Sequence, residues 1–151
     1  MPIVSTARDL GITVTSSLSP SAHVSDIVSR AHKRASAIHR CFVSRDVRLL
    51  VRAFKVYVRP LLEHNSVIWS PNTLKVDSIE CVQRRFTKRL HGFYNYSYKS
   101  RLKYLDLQSL ELRRLIVDLI WCYKIVFGLV DIDVNDFFCS ELCTSYPRAC
   151  V

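Results

Sequence analysis

Apolar residues recur at steps of three and four along most of this chain, the spacing of helices with one buried face. Strict alternation occurs near the start, where Ile12 and Val14 are separated by threonines in Leu10-Gly11-Ile12-Thr13-Val14-Thr15. That is the pattern of a short β-strand. A strand by itself leaves backbone donors and acceptors unmatched. It is therefore expected to pair with another chain or to lie loosely on the helices.

The helices follow in order. Ser19-Pro20 predicts a start, with a hydroxyl at the cap and proline at the first helical position. Val24, Ile27, Val28, Ala31, Ala35, Ile38 and Phe42 form the first apolar face. Ser44 is expected to cap a second helix, with Asp46 in its first turn and Val47, Leu50, Val51, Phe54, Tyr57, Val58 and Leu61 buried. Pro60 ends or kinks it, because proline lacks the N–H and clashes with the preceding turn. Val67-Ile68-Trp69 reads as an apolar turn closed by Pro71. A third helix is predicted over 74–90, with Ile79, Val82, Phe86 and Leu90 inward and Gly92 as a left-handed cap. An aromatic connector, Phe93 to Tyr98, leads to a short helix over 98–105. Ser109 caps a fourth long helix with Leu112, Leu115, Ile116, Leu119, Tyr123 and Val126 as its core face, and Gly128 stops it. Ile132, Val134, Phe137 and Phe138 are expected to dock as a last clip.

The pattern predicts an all-α fold, a bundle of about four main helices with a short N-terminal strand. The boundaries follow: 1–18 for the strand segment, 19–128 for the helical domain, 129–151 for an acidic, partly disordered tail. With 151 residues, 49% of them hydrophobic, and only 3 glycines and 5 prolines, one compact core is possible. There is no run of 18 apolar residues and no basic-then-apolar leader, so an intracellular, non-secreted protein without membrane contact is expected. Cys41, Cys81 and Cys122 fall in helical patterns and are expected to be reduced and buried.

Charge changes the picture most. The net charge is +9, and Arg30 to Arg59 contains nine cations (Arg30, Lys33, Arg34, Arg40, Arg45, Arg48, Arg52, Lys55 and Arg59) against one acid, Asp46. After Gly128 the sign turns, with Asp131, Asp133, Asp136 and Glu141 against Arg148. Arg48, Arg52, Lys55 and Arg59 form a stripe about 16 Å long on one side of the second helix. Like charges one turn apart cost roughly 0.2–0.5 kcal/mol per pair, a penalty that an external anion removes. A second group, Arg84, Arg85, Lys88 and Arg89, lies outward on the third helix, with Asp77 and Glu80 one turn upstream to answer part of it. Each group fits either a solvated basic face or a grip on a polyanion such as nucleic acid. Tyr94, Tyr96 and Tyr98 follow directly and have rings suited to stacking on bases or to packing in the core.

Catalytic and metal chemistry find no such pattern. There is no glycine-rich phosphate loop and no nucleophile signature, and His23, His32, His39, His64 and His91 read as surface or flank histidines. His32 and His39 share a helix side without a third ligand. Cys139, Cys143 and Cys150 lack zinc spacing. Templated polymerisation uses clustered carboxylates to hold two Mg²⁺ ions, and no Asp-Asp pair occurs in the chain. No catalytic residue, metal or cofactor is assigned.

Several motifs, in order, carry a resemblance. They are Asp9-Leu10-Gly11-Ile12, Arg59-Pro60-Leu61-Leu62-Glu63, Trp69-Ser70-Pro71 and Val82-Gln83-Arg84-Arg85-Phe86-Thr87-Lys88. Leu107-Gln108-Ser109-Leu110-Glu111, Arg113-Arg114-Leu115 and Tyr123-Lys124-Ile125 continue the series. Over roughly 9–138 the chain resembles the thumb and downstream region of reverse transcriptases from non-LTR (LINE-type) retrotransposons. The resemblance implies helices that clasp a primer–template duplex through its backbone, with the basic residues above in that role. The family's Phe/Tyr-x-Asp-Asp box and its endonuclease are missing from this chain. It implies a fragment of an RNA-directed DNA polymerase truncated at both ends, not an enzyme alone. The alternatives are a helical interaction module for an acidic protein, or a non-functional relic.

Overall fold

The computed structural model describes residues 5–69 and 73–132. They are mostly helical, with a short two-stranded antiparallel sheet at the N-terminal end. The chain divides into two compact units, Met1–Arg114 and Leu115–Val151.

The alternating segment is not alone. β1 (Thr6–Asp9) pairs with β2 (Ile12–Thr15), Thr6 opposite Thr15 and Asp9 opposite Ile12. Leu10 and Gly11 make the two-residue turn with φ of 44° and 86°, the doubly left-handed geometry that suits a tight hairpin. The strand therefore has a partner within the chain itself. β1 was invisible to pattern reading because all four of its residues are exposed and none of them alternates with a buried one.

α1 (Ser21–Cys41) starts one residue later than predicted, after Pro20, with Ser19 Oγ accepting from the Ser21 N–H at 3.4 Å. Val24, Ile27, Ala31, Ala35 and Ile38 are buried as the spacing requires. In α2 (Val47–Tyr57) the cap is Asp46, not Ser44. The Asp46 carboxylate accepts from the Arg48 N–H at 3.0 Å, and Ser44 Oγ accepts from the Asp46 N–H at 3.2 Å. Ala53 joins Leu50, Val51, Phe54 and Val58 in the core, whereas Tyr57 is exposed.

The chain then breaks at Val58 and resumes as α3 (Arg59–Glu63), with Pro60 in its first turn. α4 (Ser66–Trp69) replaces the expected apolar turn. Val67 and Ile68 are exposed there, while Trp69 is buried and its indole N–H donates to the His64 carbonyl at 2.7 Å. Pro71 lies outside the described residues.

α5 (Thr73–Lys88) buries Ile79, Val82 and Phe86, and Leu90 just past its end. Phe86 stacks on Phe54 of α2 with ring centroids 4.6 Å apart. Fully burying one such ring contributes roughly 1.5–3 kcal/mol. Gly92 is left-handed as predicted, with φ 82°, but it lies four residues beyond the end of α5 at Lys88, where the turn bonds are Arg89 N–H to the Phe86 carbonyl and Leu90 N–H to the Thr87 carbonyl. α6 (Tyr98–Tyr104) is capped by Ser97, whose Oγ accepts from the Ser100 N–H at 3.2 Å.

α7 (Leu110–Val126) begins as predicted, Ser109 Oγ accepting from the Leu112 N–H at 3.2 Å, and Gly128 follows with φ 63°. Its expected core face is corrected. Leu112, Leu115, Ile116, Leu119, Tyr123 and Val126 are 38–60% exposed, and Leu110 and Ile125 are buried instead. In the first unit α1, α2, α3 and α5 bury their apolar faces against one another. Ile132 is exposed; Val134, Phe137 and Phe138, and the tail from 133 on, lie outside the described residues.

Glu80 is also corrected. It is buried and does not serve the surface of α5. Its Oε2 accepts the N–H groups of Leu110 at 2.9 Å and Glu111 at 3.2 Å, and the Tyr98 hydroxyl donates to Oε1. A carboxylate here answers the orphan donors and positive dipole end of α7. Burial first, then the Glu80 hydrogen bond, pushes the Tyr98 hydroxyl well above its usual pKa.

Cys41 and Cys122 are exposed free thiols and Cys81 is half-buried, so the expectation of three buried thiols is corrected. Cys41 closes α1 at a surface position, and Cys122 lies on the exposed length of α7.

Candidate functional site

The two basic groups sit in two clefts of the first unit, and the aromatic connector contributes to both. The larger, about 650 Å³, lies between α1 and the end of α5. Arg85 and Lys88 line it from α5, Arg89 and His91 from the turn that follows, His32, Ser36 and His39 from α1, and Tyr94 from the connector. The smaller, about 540 Å³, is lined by Arg48, Arg52 and Lys55 of α2 with Phe93, Tyr104, Leu105 and Asp106. Phe93 packs near Tyr96 at 5.9 Å, and Tyr96 meets Tyr104 edge-on at 5.3 Å. These three rings form one aromatic cluster beside the smaller cleft.

Local helix physics places the α5 cations. With Val82, Phe86 and Leu90 fixed inward, the 100° step turns Arg85, Lys88 and Arg89 to solvent. All three are exposed, and none is paired with a carboxylate among the described residues. Lys88 Nζ lies 5.0 Å from the Tyr94 ring centroid, a cation–π distance. Arg84 departs from the group. Its guanidinium donates to Asp77 Oδ1 at 2.9 Å and sits 5.4 Å from the Tyr98 ring. Its hydrogen bond to Asp77 raises the Arg84 pKa.

The α2 stripe is divided by the break at Val58. Arg48 and Arg52 are exposed without a carboxylate partner among the described residues. Lys55 Nζ donates to the Asp106 carbonyl at 3.4 Å. Arg59 belongs to α3 and lies 3.7 Å from Glu63, which also holds Arg113 through a two-point contact, Nη2 to Oε2 at 3.0 Å. That hydrogen bond raises the Arg113 pKa. Among the described residues, five of the eight expected cations therefore meet neither a carboxylate nor a backbone carbonyl through their side chains: Arg48, Arg52, Arg85, Lys88 and Arg89.

Three histidines depart from the surface reading. His23 is buried, with Nδ1 accepting from the Thr13 N–H at 3.3 Å and its ring 5.4 Å from Trp69. Burial lowers its pKa. His39 packs its ring 4.6 Å from Phe86, and its Nε2 is buried without a hydrogen-bond partner. His32 and His39 both line the larger cleft. Their seven-residue spacing was the only signal for this, and it could not tell which helix they would face. No three His, Cys, Asp or Glu among the described residues are grouped to hold a metal ion.

Exposed cations flanked by aromatic rings can hold phosphates and stack on bases. No protein-family model matches the chain. It is 26% identical over 125 residues to an uncharacterized protein of Caenorhabditis elegans, a match covering 80% of this chain and 63% of that protein. No solved structure matches it. No helix among the described residues is long and apolar enough to cross a membrane.

Proposed function

We propose that the chain is a thumb-like helical bundle derived from a non-LTR retrotransposon reverse transcriptase, and that it holds nucleic-acid backbone without copying it. One observation carries the reading: five cations without a carboxylate partner among the described residues line two clefts that share an aromatic connector. The motif series around Arg59–Glu63 and Val82–Lys88 supports the family origin. Backbone contacts predict binding that is salt-sensitive and indifferent to sequence. The proposed setting is intracellular.

The test is fluorescence anisotropy of the full chain with a labelled RNA–DNA hybrid across a salt series. Affinity that falls steeply with salt and is equal for unrelated sequences is expected. Absence of binding at low salt would sink the reading, and nucleotide incorporation with Mg²⁺ would refute the non-enzyme assignment. A second reading, a module docking an acidic protein, is favoured by the exposed apolar length of α7. It predicts a saturable protein partner and indifference to the hybrid.

A further inference from the structure

The cleft between α1 and α5 differs from an ordinary basic groove. Among the described residues its lining holds Arg85, Lys88 and Arg89 together with His32, His39 and His91, and no carboxylate. Cations crowded without a counter-charge are poised for an anion. The two α1 histidines feel that crowding. Burial lowers the pKa of His32 first, and then Arg85 does. For His39 burial again comes first, then Arg89 and, more weakly, Arg45, while a contact with the Phe86 backbone opposes them. Lys88, His91 and Tyr94 complete the titratable lining. Both histidines are therefore biased toward the neutral form.

A phosphate between Arg85 and Arg89 offsets the cationic share of what keeps these imidazoles uncharged, while burial still acts on them. Each histidine then gains an anion to answer and favours its proton. Linkage makes the effect reciprocal: a site that takes up protons when it binds must bind more tightly as pH falls.

We infer that the α1–α5 cleft is a proton-linked phosphate subsite for a nucleic-acid strand, with Arg85, Lys88 and Arg89 as fixed charges and His32 and His39 as charges acquired on binding. This rests on the nucleic-acid reading above and adds to it a position, two residues and a pH dependence. The α2 cleft has no histidine in its lining and lacks this response.

The experiment is anisotropy with an RNA–DNA hybrid between pH 8 and pH 6 at constant ionic strength, on the full chain and on His32→Gln, His39→Gln and the double variant. The native chain is expected to bind about tenfold more tightly at the acid end, roughly what one net proton taken up across the histidine range produces. The double variant is expected to lose most of that gain. His32→Gln, at the partly exposed position, keeps the test intact if the His39 change disturbs packing against Phe86. Hybrid binding with a flat profile in the native chain, or the native slope retained in both His32→Gln and the double variant, overturns the proton-linked site and leaves the backbone-binding reading standing. No binding at any pH overturns both. Inorganic phosphate that binds alone with the same pH slope, and blocks the hybrid, would reassign the cleft to a free anion.

Discussion

The cleft beside α5 and the cleft beside α2 were built from similar sequence material, and the fold treats them differently. Each began as four cations at helical spacing. Among the described residues Arg84 is answered by Asp77, while Arg85, Lys88 and Arg89 meet no carboxylate and lie beside histidines and Tyr94. On α2 the break at Val58 carries Arg59 to Glu63, and Lys55 meets the Asp106 carbonyl. Asp106 also brings an acid into that lining. The number of basic residues therefore says little about where an anion goes; what matters is which of them the chain has already engaged.

The largest expected effect comes from removing what the two clefts share. Phe86 touches Phe54 of α2 and His39 of α1, so Phe86→Ala should cost about 3–5 kcal/mol of stability. Urea denaturation reads this directly; a loss under about 1 kcal/mol would mean the helices carrying the clefts do not depend on that core.

Next come the cations themselves. Replacing Arg85, Lys88 and Arg89 by Gln should lower the salt slope of hybrid binding by about 2.7 and weaken it about 50-fold at low salt. Arg48→Gln with Arg52→Gln should lower the slope by about 1.8 and weaken binding about tenfold. Equal losses from the two sets would erase the distinction between the clefts.

A pH effect on stability should separate the clefts without any ligand. His23, His32 and His39 have folded pKa values below their ordinary 6.5. Between the folded and unfolded values the unfolded chain binds more protons, so stability rises with pH there. The contribution is full above about pH 6.5 and is lost as pH falls below it toward the folded values. Denaturation midpoints at pH 7.5 and 5.5 should show the fall, reduced in His32→Gln; an unchanged pH dependence in that variant would remove the α5 cleft from the explanation. The smallest effect is expected from Lys55→Gln with Arg59→Gln, within about twofold in affinity, because both side chains are engaged internally. A tenfold loss would restore the four-residue stripe as the binding unit.

Much of the helical framework was legible in the sequence because its causes are local. The serines before α6 and α7, the glycines after α5 and α7, the break around Pro60 and the buried spacing of α1 and α5 all depend on residues within a turn or two. The cap of α2 was misplaced by two residues because Ser44 and Asp46 are both competent and only the backbone path chooses. Within the candidate site, outward placement of Arg85, Lys88 and Arg89 followed from the apolar phase of α5. The roles of His32 and His39 did not, since they depend on which helix lies opposite.

The chain's own order of residues set which segments coil, where most of them stop and which sides repel water, because those choices are made by neighbours in sequence. Tertiary structure alone decided that β2 has β1 beside it, that Glu80 turns inward to the start of α7 some 30 residues away, and that α7 keeps its apolar side exposed. It also decided which cations remain available, since Glu63 and the Asp106 carbonyl reach them only after the chain has folded back on itself. Electrostatic pairing acts over a few ångströms in space, and sequence spacing fixes such distances only within a single helix.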